Sequence, residues 1–135
     1  MENIKELNGE IPEIYCALSI MLKKVTSVDL FLSKLRDIGI FEYRVYSPKY
    51  EDAVYIDIAE IYYDRNWYLD DVLSKMFSHI DGSLAELKKL IDQFAIKLEV
   101  DIAFCQYGTY PALEFVGDNM KKIRFLEAEI SIDAY

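Results

Sequence analysis

His79 is the only histidine in the chain, so any Ser-His-Asp or Cys-His nucleophilic relay must run through it. It sits just before Asp81-Gly82, at the predicted end of a helix. There an imidazolium meets the negative helix end and its free carbonyls, which makes a structural role the plainer reading. Cys16 and Cys105 are the only cysteines and match no CxxC or metal-ligand spacing; one histidine beside them argues against a closed zinc site. No Gly-rich phosphate loop, nucleophile elbow or HExxH helix occurs. The sequence therefore assigns no catalytic residue, no metal ligand and no cofactor.

The carboxylates are more informative. Asp57, Glu99, Asp101, Glu114 and Asp133 fall on predicted strands, opposite the core-facing positions. If those strands are neighbours, one sheet face is acidic. Such a cluster could hold Ca²⁺ or Mg²⁺ or pair a general acid with a base. No loop with Ca²⁺ spacing accompanies it. The other readings are a solvated antiparallel face, with Arg44 and Lys97 relieving repulsion, and a binding surface for a basic partner.

Eleven tyrosines add an aromatic signal. Tyr62, Tyr63, Tyr68, Tyr107 and Tyr110 bracket predicted loops, and Tyr62 to Trp67 includes Arg65, so that one segment holds the three residue types that dominate interface hot spots. The alternative for Trp67 is anchoring of the following helix in the core. The candidate binding residues are thus Tyr62, Tyr63, Arg65, Trp67, Tyr107, Tyr110, Asp57, Glu99, Asp101 and Asp133.

The elements that must position these residues follow from periodicity. Residues 1–12 contain Asn8-Gly9 and Pro12 and read as a tail. From Glu13 the alternation of Ile14, Cys16, Leu18 and Ile20 predicts a central strand; Ile14 to Leu22 is about half the roughly 20 residues a membrane span needs. Thr26 or Ser27 can cap a helix carrying Val28, Phe31, Leu32, Leu35 and Ile38, with Gly39 as its stop. Phe41/Tyr43/Val45 and Val54/Ile56/Ile58 form a hairpin. Trp67 to Ile80 and Leu84 to Phe94 are two helices separated by Asp81-Gly82, the second opened by a Ser83–Glu86 capping box. Leu98 to Phe104 is a strand, Tyr107 to Pro111 a turn and Leu113/Phe115 its return strand. A short helix capped by Asp118 or Asn119 and a strand through Ile130, Ile132 and Ala134 close the chain.

The predicted order is β-α-β-β-α-α-β-β-α-β, two β-α-β-β-like blocks. It points to an α+β, ferredoxin-like sandwich, mainly antiparallel, with helices on one face. No Pro-, Gly- or Ser-rich linker divides residues 13–135, which read as a single domain.

A chain of 135 residues and 15.8 kDa buries about two-thirds of its unfolded surface, enough for a real core. With 53% hydrophobic residues it is neither disordered nor low-complexity. Its net charge of −9 repels phosphate backbones and anionic lipid, so neither nucleic acid nor a membrane is an expected partner. The start Met1-Glu2-Asn3-Ile4-Lys5-Glu6 lacks the basic and apolar regions of a signal peptide, which leads to the expectation of a cytoplasmic protein without a disulfide.

Trp67 ahead of two helices, the alternating Lys97–Phe104 strand, the Gly108 turn, Leu113-Glu114-Phe115 and the closing Glu129 to Tyr135, ending Asp133-Ala134-Tyr135, resemble the bacterial domain of unknown function 4279 family. The chain departs from that pattern at Ile40-Phe41-Glu42-Tyr43, where the family has a short Gly- or Pro-containing loop. The resemblance implies fold and bacterial origin and carries no activity. Charge and aromatic usage lead instead to a non-enzymatic module binding a basic protein, in its sharpest form an immunity or inhibitor protein for a basic toxin. A small-molecule or catalytic domain, with a pocket between sheet and helices near Tyr62–Trp67 and Tyr107–Tyr110, is the second reading. A homodimer through the open sheet face is the third.

Overall fold

The structure, a computed structural model, describes residues 11–23, 27–48, 53–105, 110–115 and 117–135. Its elements are β1 (Glu13–Leu22), α1 (Val28–Asp37), β2 (Tyr43–Tyr46), β3 (Tyr55–Arg65), α2 (Leu69–Ser78), α3 (Leu84–Phe94), β4 (Ala95–Cys105), α4 (Asp118–Leu126) and β5 (Glu129–Ala134), with a 3₁₀ turn at Asp81–Ser83 before α3. One five-stranded sheet runs in the order β2-β3-β1-β4-β5. β1 is antiparallel to β3 and β4, and β2 to β3. The four strands β2-β3-β1-β4 reproduce the ferredoxin-like split β-α-β arrangement. β5 is added outside β4 and parallel to it, which requires a crossover that α4 supplies.

β1 lies between two strands, and every residue from Ile14 to Ile20 is buried. Alternation sends Ile14, Cys16, Leu18, Ile20 and Leu22 into the main core. There they meet Phe31 and Leu35 of α1, Leu69, Val72, Leu73, Met76 and Phe77 of α2, Leu87 and Ile91 of α3, and Ile123 and Leu126 of α4. All four helices thus cover the same side of the sheet. Tyr15, Ala17 and Ser19 face the other side, where the described residues that meet them belong to the sheet, among them Ala103 and Tyr63 around Tyr15 and Ala17, and Tyr46, whose hydroxyl is 3.5 Å from Ser19 Oγ.

Helix ends follow local chemistry. Ser27 Oγ accepts the Leu30 N–H at 3.3 Å. Gly39, at φ 93°, ends α1 in a Schellman turn in which Gly39 N donates to Arg36 O and Ile40 N to Leu35 O. Glu127 does the same for α4 at φ 55°, with its N–H on Arg124 O and that of Ala128 on Ile123 O.

Three local expectations are corrected. Ser83 does not cap α3; its hydroxyl instead donates to Ile38 O and ties the start of α3 to the end of α1. Gly117 occupies the N-cap of α4, and neither Asp118 nor Asn119 makes a side-chain cap. Asn119 is buried, with its amide on Asp70 O, Asp70 Oδ1 and Ser74 Oγ of α2, because a tertiary site for that amide wins over the local cap. Residues 113–115 form no return strand. Ala112 makes a single parallel bridge with Tyr68, donating to Trp67 O and accepting from Leu69 N, while β5 takes the free edge of β4. The second half is therefore not a second β-α-β-β block.

Candidate functional site

β3 builds the site through two irregularities. Between the pairs Leu18↔Ile58 and Cys16↔Ile61 it places Ala59 and Glu60 opposite Ala17 alone; between Cys16↔Ile61 and Ile14↔Asp64 it places Tyr62 and Tyr63 opposite Tyr15 alone. These are β-bulges, and each contains a non-glycine residue at positive φ, Ala59 at 55° and Tyr63 at 48°. L-residues pay for that conformation, so the surrounding packing must hold it. The effect is to gather Glu60, Tyr62 and Tyr63 around the Tyr15 ring: Tyr62 lies edge-on at 6.2 Å and Tyr63 tilted at 5.7 Å.

The Tyr15 hydroxyl donates to Glu60 Oε2. Arg44 Nη2, reaching from the neighbouring edge strand, donates to Asp57 Oδ2 at 2.8 Å and to Glu60 Oε2 at 3.2 Å. Its guanidinium also lies 4.9 Å from the centre of the Tyr46 ring. Asp57 is 1% exposed, and among the described residues its Oδ1 has no hydrogen-bond partner. Burial raises the Asp57 pKa above its ordinary 3.8; the Ser19 and Tyr46 hydroxyls and Arg44 favour the charged form, although neither hydroxyl completes a bond to Oδ1. Burial, and the bond to Glu60 after it, push the Tyr15 phenol well above its ordinary 10.

Across β1, register places Ser19 against both Asp57 and Glu99, and Asp101 against Ala17. Along β5, Glu129 lies beside Glu99 and Asp133 beside Ala103. Asp57, Glu99, Asp101 and Asp133 therefore share the helix-free face, as the acidic-face expectation requires. Lys97 Nζ bridges Glu99 and Glu129 at 3.2 and 3.4 Å. Burial and then the charge of Asp57 raise the Asp101 pKa. Glu114 does not join this face: its segment belongs to no strand and is exposed beyond the bridge to Tyr68.

The aromatic candidates separate. Tyr62 and Tyr63 belong to the acidic face, with Tyr62 77% exposed, and Arg65 ends the same strand. Trp67 is half-buried at the entrance to α2, and Tyr110 packs edge-on against Phe104, a residue of the helix-covered core. Tyr107 lies outside the described residues. Tyr15, Ser19, Tyr46 and Glu60 were not singled out from sequence. The meeting of Tyr15 with Glu60 depends on bulges that leave no mark on composition or alternation, and the nearness of Ser19 to Tyr46 on the order of β2, β3 and β1 in the sheet.

A notch of about 480 Å³ opens beside the start of β2, where β3 runs on past Tyr43. Its wall is the loop from Gly39 to Glu42, Tyr43 and Arg44 of β2, Asp57, Ala59 and Glu60 of β3, and His79 and Ile80 after α2. It contains none of the residues around Tyr62–Trp67 or Tyr110 where a pocket was expected. His79 stands exposed at the C-terminal end of α2, as its spacing indicated.

Cys16 and Cys105 are free thiols. Among the described residues, no group of three or more His, Cys, Asp or Glu side chains is placed to hold a metal ion, and no helix is long and apolar enough to cross a membrane. No family model, curated protein or solved structure matches the chain.

Proposed function

We propose that this chain is a non-enzymatic interaction module whose helix-free sheet face receives a basic protein. Its sharpest form is a bacterial cytoplasmic inhibitor or immunity protein for a basic toxin. The observation that carries this reading is the charge of that face. Among the described residues, Glu13, Asp57, Glu60, Glu99, Asp101, Glu129 and Asp133 stand on it against Arg44, Arg65 and Lys97, and no helix covers it. A face of this sign raises the encounter rate with a cationic partner and disfavours face-to-face pairing of two identical copies. Tyr62 and Tyr135, both largely exposed, supply aromatic area with a polar tip at low rotamer cost.

The test is affinity capture from the source bacterium by the native chain and by Glu129→Lys/Asp133→Lys, at about 50 and about 300 mM salt, below and above the range in which surface charges are well screened. A basic polypeptide held by the native chain at low salt, weakened at high salt and lost by the charge-reversed variant is the expected result. Retention that the variant leaves unchanged, or no retention at either salt, overturns the proposal.

A further inference from the structure

The two edges of the sheet are not alike. β2, at one end, has four residues, carries Arg44 and is followed two residues later by Pro48, all of which discourage the addition of another strand. β5, at the other end, runs Glu129–Ala134 without proline or bulge, in consecutive pairs with β4 from Glu99↔Glu129 to Phe104↔Ala134. In a parallel ladder both backbone groups of a residue point to one side, and the side alternates along the strand. Tyr135 N donates to Phe104 O at 2.9 Å, so the odd-numbered residues of β5 turn their backbone to β4. The N–H and C=O groups of Ile130, Ile132 and Ala134 therefore point away from β4, along an edge that no strand of the described residues occupies.

The side chains on the two faces of that edge differ in kind. Ile130 and Ile132 lie beside Val100 and Ile102, which are wholly buried in the core. They point to the helix side, yet the helix layer leaves them 41% and 42% exposed. On the opposite face are Glu129, Ser131 and Asp133, with Glu99 and Asp101 on the adjoining strand. Among the described residues Lys97 pairs with Glu129, and no cation pairs with Asp133.

An added strand meets all of these conditions at once. Its backbone pairs with the free N–H and C=O groups. Cross-strand neighbours share a face, so its apolar side chains fall beside Ile130, Ile132 and Ala134 and its cationic ones beside Glu129, Ser131 and Asp133. A second copy of this chain fits less well, because its own β5 presents acids on that face and each chain carries a net charge of −9.

We propose that the free edge of β5 receives an extended polypeptide segment in which apolar and cationic residues alternate. This rests on the reading that the acidic face takes a basic protein, and it states how that protein is held: by main-chain hydrogen bonds to Ile130, Ile132 and Ala134 as well as by charge.

The experiment is amide hydrogen exchange and NMR titration of the full chain with acetyl-Lys-Val-Lys-Val-Lys-Val-amide, a probe of the same six residues' length as β5. Saturable binding with a Kd on the order of 0.1–1 mM is expected for a segment of this size. The amides of Ile130, Ile132 and Ala134 should exchange about tenfold more slowly when it is bound. Two further peptides carry N-methyl groups on every valine or on every lysine. Only one edge of an added strand faces β5, so one of them should bind like the parent and the other about tenfold more weakly. Ile132→Pro removes the central outward N–H at an edge position that tolerates proline, and should weaken the probe about tenfold with the charge of the face unchanged.

Equal affinity of the two methylated peptides, unaltered exchange at the three amides, or no saturable response each overturns the proposal. So does equal binding of acetyl-Glu-Val-Glu-Val-Glu-Val-amide, or an unaltered affinity in folded Ile132→Pro. A doubled mass in light scattering, with the same amides protected in the free chain, places a second copy on the edge and also overturns it. Should Ile132→Pro fail to fold, the two methylated peptides on the native chain decide alone. Capture of a basic protein without protection of these amides removes the added strand and leaves the acidic-face reading standing.

Discussion

Arg44 Nη2 lies 2.8 Å from Asp57 Oδ2, joining a half-exposed guanidinium on the sheet edge to a carboxylate that is almost wholly buried. The pairing follows from register, since Arg44 and Asp57 are direct cross-strand partners in the β2–β3 ladder. Removing the guanidinium leaves the carboxylate desolvated without its cation. Arg44→Met should therefore cost about 2 kcal/mol, less than the 3–5 kcal/mol of a fully buried pair because solvent reaches the arginine. In an Asp57→Asn background the same substitution should cost well under half as much. Urea unfolding of the four chains measures both, and equal costs in the two backgrounds would refute the coupling.

The two inward carboxylates set a pH dependence. Burial raises the native pKa of both Asp57 and Asp101 above the ordinary 3.8. In the interval between the ordinary and the raised values the folded chain holds protons that the unfolded chain has released, so this contribution is most favourable at low pH and is lost as pH rises. Urea midpoints taken from about pH 4 to about pH 7 should fall more steeply for the native chain than for Asp101→Asn. A difference between the two chains that is flat with pH, or rises, contradicts the assignment.

The thiols should differ sharply in reactivity. Cys16 is fully buried at the centre of β1, and burial pushes its pKa up to about 12, so almost no thiolate exists at neutral pH. Cys105 is partly exposed at the end of β4. A disulfide-exchange reagent should modify Cys105 in the folded chain and Cys16 only after denaturant is added. Prompt modification of both would show that β1 opens readily.

At the end of α4, Glu127 occupies the left-handed position of a Schellman turn, where a side chain costs about 1 kcal/mol and glycine costs little. Its pairing with Lys88 at 3.3 Å joins an 80% exposed carboxylate to a lysine that also serves Asp92, and offsets only a few tenths of that. Glu127→Gly should therefore stabilise the fold by about 0.5–1 kcal/mol, read as a higher unfolding midpoint. A lower midpoint would mean that Glu127 has a partner worth more than its strain.

Much of the architecture was legible because burial imposes periodicity. The alternation of Ile14, Cys16, Leu18 and Ile20 marks a strand with a core on one side, and Phe31, Leu35 and Gly39 mark a helix and its stop. The same period places Glu99 and Asp101 opposite Leu98 and Val100, which is why an acidic face could be anticipated from spacing alone. The capping signatures at Ser83 and Asn119 mislead because such a signature is local, whereas the hydrogen-bond partners at Ile38 and Asp70 are brought near only by packing. Leu113 and Phe115 alternate like a strand, but alternation cannot say whether a sheet edge is free to receive one, and β5 occupies the edge of β4.

The sequence by itself determined that this is an α+β chain with a ferredoxin-like order of elements and that its carboxylates alternate with its core residues. Those properties depend on the period of burial, which is written locally. Only the tertiary structure decided that β1 lies at the centre of the sheet, that Asp57 and Asp101 flank it from opposite sides, and that two bulges in β3 bring Glu60 and Tyr63 to Tyr15. Strand order and bulges are set by the pairing of segments distant in sequence, and a one-residue change of register would send each of these side chains to the other face.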